Sequence, residues 1–218
     1  MKKGAIFDMD GLLFDTEKVY KRAWVESAEF FGKPNGVELS EKVSGSSDKY
    51  CRLTIKEFYP DVDVEEFFGH VVEIARSTFE KGVDLMEGVE EILKLFKEND
   101  VKTAVASSSP VWLIEQNLNS VHMKNYFDVI IGGDNKKIKR GKPAPDIFLV
   151  AAQAINLPPE DCYVFEDSYN GIRGATAAGC APVMIPDTAP ATDEMKKICT
   201  GIYPSLSAAA AAIRAGNL

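Results

Sequence analysis

Hydrophobic and polar positions follow two different periods along the chain, and the change of period divides the sequence. The opening stretch KGAIFDM is a short apolar run, typical of a strand buried on both faces. From Thr16 onward, apolar side chains recur at helical steps of three and four residues, at Val19, Ala23, Trp24, Ala28 and Phe31. Two further helical patterns, YCRLTIKEFY and VEEFFGHVVEIARSTFEKG, follow a polar loop. Residues 15–82 are therefore predicted to be all-helical.

Beyond Gly82, short apolar runs alternate with helical patterns. The predicted strands are VKTAVASS, FDVIIGG, CYVFED, APVMIP and GIYPS, and the predicted helices are GVEEILKLFKEND, PVWLIEQNL, APDIFLVAAQAIN, YNGIRGATAAG and LSAAAAAIRAG. This alternation predicts a parallel sheet with helices on both faces, which the first strand must join. We therefore predict an α/β fold with a Rossmann-like core (1–14 and 83–218) and an inserted helical cap (15–82), joined by hinges near Phe14 and Gly82.

Composition narrows the range of partners. The chain has 218 residues, of which 45% are hydrophobic, and a net charge of −8. That charge argues against nucleic acid or an anionic membrane as the main partner but leaves an anionic small substrate open. The stretch MKKGAIF turns acidic after one short apolar run, unlike a signal peptide. No apolar stretch approaches the roughly 18–20 residues that a membrane helix needs.

Cysteine and histidine positions do not indicate a metal or redox site. The cysteines have no CxxC spacing and lie in apolar surroundings, which predicts buried free thiols and a cytoplasmic, reducing compartment (Cys51, Cys162, Cys180 and Cys199). His70 and His122 are far apart in apolar patterns, and both are predicted to be packed or surface residues.

Chemistry-bearing side chains instead follow the ends of predicted strands. In open α/β sheets, ligands bind outside the carboxyl ends of the strands. The side chains found there are two carboxylates after AIF, three hydroxyls after KTAVA, two carboxylates after CYVF, and a lysine in the basic loop after VIIGGD (Asp8, Asp10, Ser107, Ser108, Ser109, Glu166, Asp167 and Lys142). We expect these groups to converge on one site.

This set of groups suits phosphoryl transfer. Clustered carboxylate oxygens suit Mg²⁺, which would offset the repulsion among Asp8, Asp10 and Asp167. Ser107 and the N–H groups of the following helix could bind phosphate oxygens, and Lys142 would add positive charge. One ionised aspartate could attack phosphorus, while its neighbour, kept protonated by crowding, protonates the leaving alkoxide.

Each motif also has a simpler interpretation. A lone DxDG occurs in turns and in Ca²⁺ loops, although the acidic continuation of an EF-hand is missing here. SSSP is typical of a helix cap, KPAPD of a loop that starts a helix, and FEDS of a strand end followed by a cap. The basic run KKIKR is typical of a solvated loop, from which we except Lys142. The specific signal is the combination of four motifs in order at strand ends.

The stretches FDMDG, VASSS, KPAPD and FEDS resemble the four motifs of the haloacid dehalogenase superfamily. Within that superfamily, FDMDGLLFDTE, GKPAPDIF and VFEDSYNGIRGATAAG are most similar to the β-phosphoglucomutase-like group of sugar-phosphate phosphatases and mutases. The resemblance covers nearly the whole chain, including the helical cap inserted after the first motif.

The resemblance implies a role for each matching residue. Asp8 would be the nucleophile that becomes an aspartyl phosphate, and Asp10 would be the general acid and then the base. Lys142 would hold the phosphoryl group and the nucleophile. Substrate would be bound by hydroxyls after the second strand and by the cap loop (Ser107, Ser108, Gly45, Ser46 and Ser47). Mg²⁺ would be held by Asp8, the backbone carbonyl of Asp10, Asp167 and Glu166, the last directly or through water.

Departures from the family patterns narrow the expected reaction. True dehalogenases usually lack the second aspartate and need no Mg²⁺, so the presence of Asp10 disfavours dehalogenation. β-Phosphoglucomutase carries a histidine where Tyr20 stands here, and an arginine in the cap loop, where this chain has Asp48 nearby. Because these two groups position the sugar phosphate and gate proton transfer in the mutase, their absence favours hydrolysis.

We therefore expect a Mg²⁺-dependent phosphatase of a sugar phosphate or nucleoside monophosphate, acting through an aspartyl phosphate. The alternative is a β-phosphoglucomutase-type sugar phosphomutase. A response-regulator receiver is disfavoured, because a receiver needs no helical insertion and its phosphorylated aspartate lies in a later strand. The expected partner is a small phosphorylated metabolite, with no nucleic acid and no membrane, and the expected state is a monomer.

Overall fold

The computed structural model describes residues 1–44, 46 and 48–218. The chain packs as two compact units. Met1–Phe14 and Asp84–Leu218 form one of them, which we call the core unit. Asp15–Val83 form the other, which we call the insertion unit.

The core unit is built on a parallel sheet, as predicted. Within the described residues the sheet has six strands in the order β3-β2-β1-β4-β5-β6. The strands are β1 (Gly4–Phe7), β2 (Lys102–Ser107), β3 (Val129–Gly132), β4 (Cys162–Glu166), β5 (Ala181–Met184) and β6 (Gly201–Ile202). Phe7 in β1 lies opposite Val105 in β2 and Phe165 in β4. The carboxyl ends of these central strands are therefore level, and the residues that follow them meet at one edge.

The helices fall into two groups. The insertion unit contains α1 (Thr16–Phe30), α2 (Gly36–Val43), α3 (Asp48–Phe58) and α4 (Val64–Lys81). The core unit contains α5 (Val89–Glu98), α6 (Val111–Ser120), α7 (Asp146–Ala154), α8 (Tyr169–Ala178), α9 (Asp193–Ile198) and α10 (Leu206–Arg214). Among the described residues, no helix combines the length and the apolar composition that crossing a membrane requires.

Side chains of the sheet alternate between two packed faces. On one face, Ile6 and Val164 pack with Phe148 of α7 in a single apolar cluster. On the other face, Phe7 stacks on Phe165 with ring centroids 4.8 Å apart, and the ring of Phe96 from α5 meets Phe7 edge-on at 6.0 Å. Each fully buried phenylalanine contributes about 1.5–3 kcal/mol by leaving water. Burial on both faces explains why these strands read as continuous apolar runs.

The insertion unit has its own apolar centre. The Phe67 side chain of α4 is fully buried, and its ring lies 6.2 Å from Trp24 of α1 and 5.2 Å from Phe31. The side chain of Asp15 begins α1 by accepting a hydrogen bond from the backbone N–H of Lys18 (3.2 Å). The apolar stripe at helical spacing is what the sequence pattern predicted for α1, and the Asp15 cap marks where the helix begins.

Two helices were not predicted. α2 follows Asn35 in a left-handed conformation, without a side-chain cap. α9 is six residues long and buries Met195 alone among its residues. α2 buries only two apolar side chains, Leu39 and Val43, and α9 buries one, so neither shows the repeated apolar stripe that identified the other helices.

The two chain connections to the insertion unit leave the core side by side. Phe14 forms a bridge with Leu85, and the backbone N–H of Met86 donates to the carbonyl of Leu13 at 3.0 Å. Gly82, which ends α4, has a φ of +98°, a conformation open to glycine but rarely to other residues. The hinge role of these connections remains a prediction.

Candidate active site

Asp8 lies at the carboxyl end of the central strand. Its backbone N–H donates to the carbonyl of Phe165 at 3.1 Å, so the residues after β1 and β4 are adjacent. The Asp8 residue is only 6% exposed. A carboxylate buried to this extent needs a compensating charge or hydrogen bonds.

Lys142 provides that charge. Its Nζ lies 2.5 Å from Asp8 Oδ1 and 2.5 Å from Glu166 Oε1. It also lies 5.2 Å from the ring centroid of Phe148, which forms part of its apolar wall. Elsewhere in this basic loop, Arg140 is exposed and pairs with Asp146. Lys142 is therefore the basic residue of the loop that turns inward to join two carboxylates.

Glu166 is fixed by both of its oxygens. Its Oε2 accepts hydrogen bonds from the Ser168 backbone N–H (3.0 Å) and hydroxyl (2.8 Å), while Oε1 faces Lys142. The Ser168 hydroxyl oxygen also accepts the N–H of Gly171 (3.0 Å) and so caps α8. A β-carbon on Gly171 would overlap the Glu166 carboxylate. The start of α8 thus surrounds this carboxylate with hydrogen-bond donors and leaves room for it at Gly171.

Asp167 completes an acidic cluster with Asp8 and Glu166. One carboxylate oxygen of each residue lies within 4.8 Å of those of the other two. Burial raises the pKa of Asp8 to about 7, with the charge of Lys142 opposing the rise. Burial, reinforced by Glu166 and Asp8, raises the pKa of Asp167 to about 9. For Lys142, burial lowers the pKa, but the neighbouring carboxylates more than offset it, so the ammonium form is favoured.

The cluster fits a hard divalent cation. Its donors are carboxylate oxygens, which Mg²⁺ prefers over nitrogen or sulfur. Lys142 brings one positive charge to a cluster of three carboxylates, and burial raises the pKa of Asp8 and Asp167. A cation beside Asp8 and Asp167 would supply the missing charge and return both pKa values toward their ordinary range.

The side chain of Asp10 faces two serines. Its Oδ2 accepts hydrogen bonds from the hydroxyls of Ser109 (2.9 Å) and Ser107 (3.2 Å). Ser107 is fully buried, and its hydroxyl oxygen accepts the backbone N–H of Ser109 (3.0 Å). Ser108, between them, is exposed. The structure thus brings Ser107 and Ser109, two of the three hydroxyls expected to converge on the site, together with Asp10. It also adds Ser168, which was not predicted.

Gly11 lies close to two carboxylates, one of which belongs to a residue that was not predicted. The φ of Gly11 is +74°, and a β-carbon there would lie 2.8 Å from Asp167 Oδ2 and 3.4 Å from Asp187 Oδ2. Asp187 follows β5 at the same edge of the sheet as the other site residues. It is absent from the predicted set, although its place after the apolar run APVMIP was the signal that could have identified it.

The predicted substrate-binding residues of the cap loop, together with Tyr20, belong to the insertion unit. Gly45 and Ser47 lie outside the described residues, and the backbone N–H of Ser46 donates to Val43 at 3.0 Å. Tyr20 is 41% exposed, and its ring meets Phe79 edge-on. The part of these residues in substrate selection remains a prediction.

The residues predicted to be without a catalytic role lie in ordinary packing. His70 stacks on Phe30 with ring centroids 4.2 Å apart, and its Nδ1 is 3.0 Å from the hydroxyl of Ser27. His122 is an exposed turn residue. All four cysteines are free thiols, three of them buried and Cys199 half-buried.

Comparison with known proteins agrees with this geometry. The model of the haloacid dehalogenase-like hydrolase family matches residues 2–179. A probable pseudouridine-5′-phosphatase of Drosophila melanogaster is 35% identical, with 84% of this chain and 80% of that protein covered. A phosphorylated carbohydrates phosphatase of Thermotoga maritima is also 35% identical, with 81% and 82% covered.

A solved structure extends the similarity to nearly the whole chain. It is a provisionally assigned β-phosphoglucomutase from Thermotoga maritima, superposed with a TM-score of 0.85. The two are 28% identical, with 98% of this chain and 99% of the other covered. With a matching family model and two phosphatase relatives of this similarity, the chain belongs to the haloacid dehalogenase-like hydrolase family.

Proposed function

We propose that this chain is a Mg²⁺-dependent phosphatase that hydrolyses a small phosphorylated metabolite through an aspartyl phosphate on Asp8. The main observation in support of this proposal is the buried contact of Lys142 with Asp8 and Glu166, beside Asp167. This arrangement supports the proposal, because a carboxylate, an ammonium group and two further carboxylates lie together at one edge of the sheet. The positive charge of Lys142 and of a bound cation would let an anionic phosphate monoester approach the Asp8 carboxylate.

The reaction divides into two displacements at phosphorus. First, a carboxylate oxygen of Asp8 forms a bond to phosphorus while the bond to the substrate oxygen breaks, and Asp10 gives its proton to the departing alkoxide. Next, water attacks phosphorus and passes a proton to Asp10, and the bond to Asp8 breaks. Inorganic phosphate leaves, and both aspartates return to their starting states.

Lys142 and the metal donors would support both displacements. The ammonium group of Lys142 holds the Asp8 carboxylate in place and favours its ionised form. Asp8 and Asp167 would hold Mg²⁺, with Glu166 beside them, and bound Mg²⁺ supplies neutralising charge for the phosphoryl oxygens. Ser107 would bind a phosphoryl oxygen through its hydroxyl.

We propose a sugar phosphate or a nucleoside monophosphate as the substrate class. The names of the two phosphatase relatives, one a phosphorylated carbohydrates phosphatase and one a pseudouridine-5′-phosphatase, support this range. A panel of hexose, pentose and hexitol phosphates, with nucleoside 5′-monophosphates including pseudouridine 5′-phosphate, would identify the preferred ester by kcat/KM.

Asp8→Asn tests the nucleophile directly. We expect phosphate release from p-nitrophenyl phosphate to fall by at least about 1,000-fold, because an amide does not form the aspartyl phosphate. Asp193→Asn is the matched control, since the Asp193 side chain is 90% exposed and lies at the start of α9. Substantial activity in Asp8→Asn, or wild-type activity that survives complete removal of divalent cations, would show that the proposed mechanism is wrong.

A second candidate, a sugar phosphomutase, is favoured by the 0.85 TM-score match to the provisionally assigned β-phosphoglucomutase. Incubation with β-glucose 1-phosphate and a trace of glucose 1,6-bisphosphate separates the two reactions. A phosphatase releases inorganic phosphate, whereas a mutase forms glucose 6-phosphate without net release. Hydrolysis is our first proposal, because Tyr20 stands where the mutase pattern has a histidine.

A further inference from the structure

We propose that Ser109 is a positioning residue for Asp10, which it anchors for proton transfer to the leaving group. The inference rests on the proposed function, in which Asp10 is the general acid. Its basis is the 2.9 Å hydrogen bond that the Ser109 hydroxyl donates to Asp10 Oδ2. The equivalent bond from the Ser107 hydroxyl is longer, at 3.2 Å.

The backbone of Ser109 is held by the end of β3. The N–H of Gly133 donates to the Ser109 carbonyl at 2.9 Å. A β-carbon on the neighbouring Gly132 would lie only 2.8 Å from that same carbonyl oxygen. Because the two backbones approach so closely, the turn that carries Ser109 has a fixed position relative to the sheet.

The other side of the turn is fixed by the start of α6. The Asp134 carboxylate accepts the backbone N–H of Val111 at 3.1 Å. The N–H of Ser109 donates to the Ser107 hydroxyl oxygen, which closes the turn from within. A hydroxyl on such a braced turn can direct a neighbouring carboxylate, whereas a side chain on a mobile loop cannot.

The orientation of Asp10 decides whether it can act as an acid. Asp10 is half-buried, whereas Asp8 is buried. A half-buried carboxylate can turn about χ1 and χ2, and proton transfer needs its oxygen within hydrogen-bond reach of the leaving oxygen. When Ser107 turns its hydroxyl to a phosphoryl oxygen, as the proposed function requires, Ser109 keeps its hold on Asp10.

Leaving-group dependence distinguishes this role from phosphate binding. The oxygen of p-nitrophenyl phosphate departs as a stable anion and needs little help from an acid, whereas that of phenyl phosphate needs protonation. The two esters have the same ring and the same phosphate. We compare kcat/KM, because this ratio reports the steps up to the departure of the leaving group, and not the later attack by water.

The variants are Ser109→Ala, Ser109→Thr and a control, Ser120→Ala, at the exposed far end of α6. We expect Ser109→Ala to lower kcat/KM for phenyl phosphate about tenfold, which is a part of what a general acid contributes. For p-nitrophenyl phosphate, we expect kcat/KM to fall by less than about threefold. Ser109→Thr, which keeps the hydroxyl, should recover most of the loss. Ser120→Ala should match wild type on both esters.

Each other outcome contradicts the inference. Equal losses on both esters would assign Ser109 to phosphate binding or to folding, and unchanged kinetics would exclude a role. If Ser109→Ala does not fold, Ser109→Cys carries the same expectation, since its S–H is a weak donor of similar size. Wild type that hydrolyses neither ester, or an active Asp8→Asn variant, would instead overturn the proposed function, and this inference with it.

Discussion

Gly171 shows how closely single residues of the site are fitted to one another. The position is the third residue of α8, and the space in which a β-carbon would lie is filled by the Glu166 carboxylate. A carboxylate that is fully buried must keep its partners, because an unpaired buried charge is strongly destabilising. Glycine at this position therefore maintains the contact between Glu166 and Lys142.

Gly171→Ala should lower the free energy of unfolding by roughly 1–3 kcal/mol, because the added methyl group displaces Glu166. The same displacement moves Lys142, so kcat should fall by roughly 100-fold. Gly69→Ala is the matched control: Gly69 is an exposed residue within α4, and, apart from its chain neighbours and the backbone of its own helix, no described atom lies within 4 Å of its β-carbon position.

The control should behave in the opposite way, since alanine at an exposed helix position is more stable than glycine by roughly 0.5–1 kcal/mol. Urea denaturation and steady-state kinetics measure both effects. A Gly171→Ala protein as stable and as active as Gly69→Ala would contradict this account of Glu166.

At the scale of secondary-structure elements, the start of α8 has two functions at once. Ser168 caps the helix through the N–H of Gly171 and holds Glu166 through its own N–H and hydroxyl. A serine at the start of a helix commonly caps it. From the sequence, FEDS has two interpretations, as a strand end followed by a helix cap and as an acidic motif. The structure shows that one hydroxyl connects the two, so the position of the carboxylate depends on the helix.

Ser168→Ala should therefore affect both stability and catalysis. We expect a loss of about 1 kcal/mol in the free energy of unfolding, as for other caps, and a fall in kcat of about tenfold as Glu166 is released. Ser205→Ala removes a comparable cap, since the Ser205 hydroxyl accepts the N–H of Ala208 at the start of α10.

Thermal denaturation should show similar losses for the two cap variants, and kinetics should separate them. Ser205→Ala should retain the wild-type kcat on p-nitrophenyl phosphate. If both variants lost activity equally, the effect of Ser168 would come from general destabilisation and not from its hold on Glu166.

At the scale of the whole molecule, the concentration of acidic groups at one sheet edge links folding to cation binding. The folded chain raises the pKa of Asp167 from 3.8 to about 9, and that of Asp8 to about 7. In the interval between the ordinary and the raised pKa, the folded state holds protons that the unfolded state has released. Stability without metal should therefore fall as the pH rises from about 5 to about 9.

Mg²⁺ should reverse this trend, because it takes the place of those protons. We expect the midpoint of thermal unfolding to drop between pH 6 and pH 8.5 in a chelating buffer. The rise in midpoint on addition of Mg²⁺ should be larger at pH 8.5, since metal affinity increases up to about tenfold per pH unit for each proton displaced.

Asp167→Asn should reduce the stabilisation by Mg²⁺ and flatten the pH dependence, whereas Asp193→Asn should leave both unchanged. Differential scanning fluorimetry measures these midpoints without reference to activity. An equal effect of Mg²⁺ at pH 6 and pH 8.5 would show that these carboxylates do not bind the cation.

The amino-acid pattern was sufficient for the fold class, because both of its signals are local. Strands buried on two faces read as short apolar runs, and the predicted helices, of nine residues or more, repeat their apolar stripe. The same logic located the carboxylates after β1 and β4 and the lysine between β3 and α7, because parallel strands bring their ends to one edge. It did not identify α9, whose single buried side chain leaves no period to detect.

Contacts between residues distant in the chain came from the tertiary structure. Ser109 meets Asp10 across 99 positions, and Lys142 meets Asp8 across 134. Which serines of SSSP face the aspartate depends on the close packing of the turn against Gly132 and Gly133, which no local pattern records. The chemistry of the site follows from residue types in order along the chain, whereas its geometry follows from how closely the backbones pack.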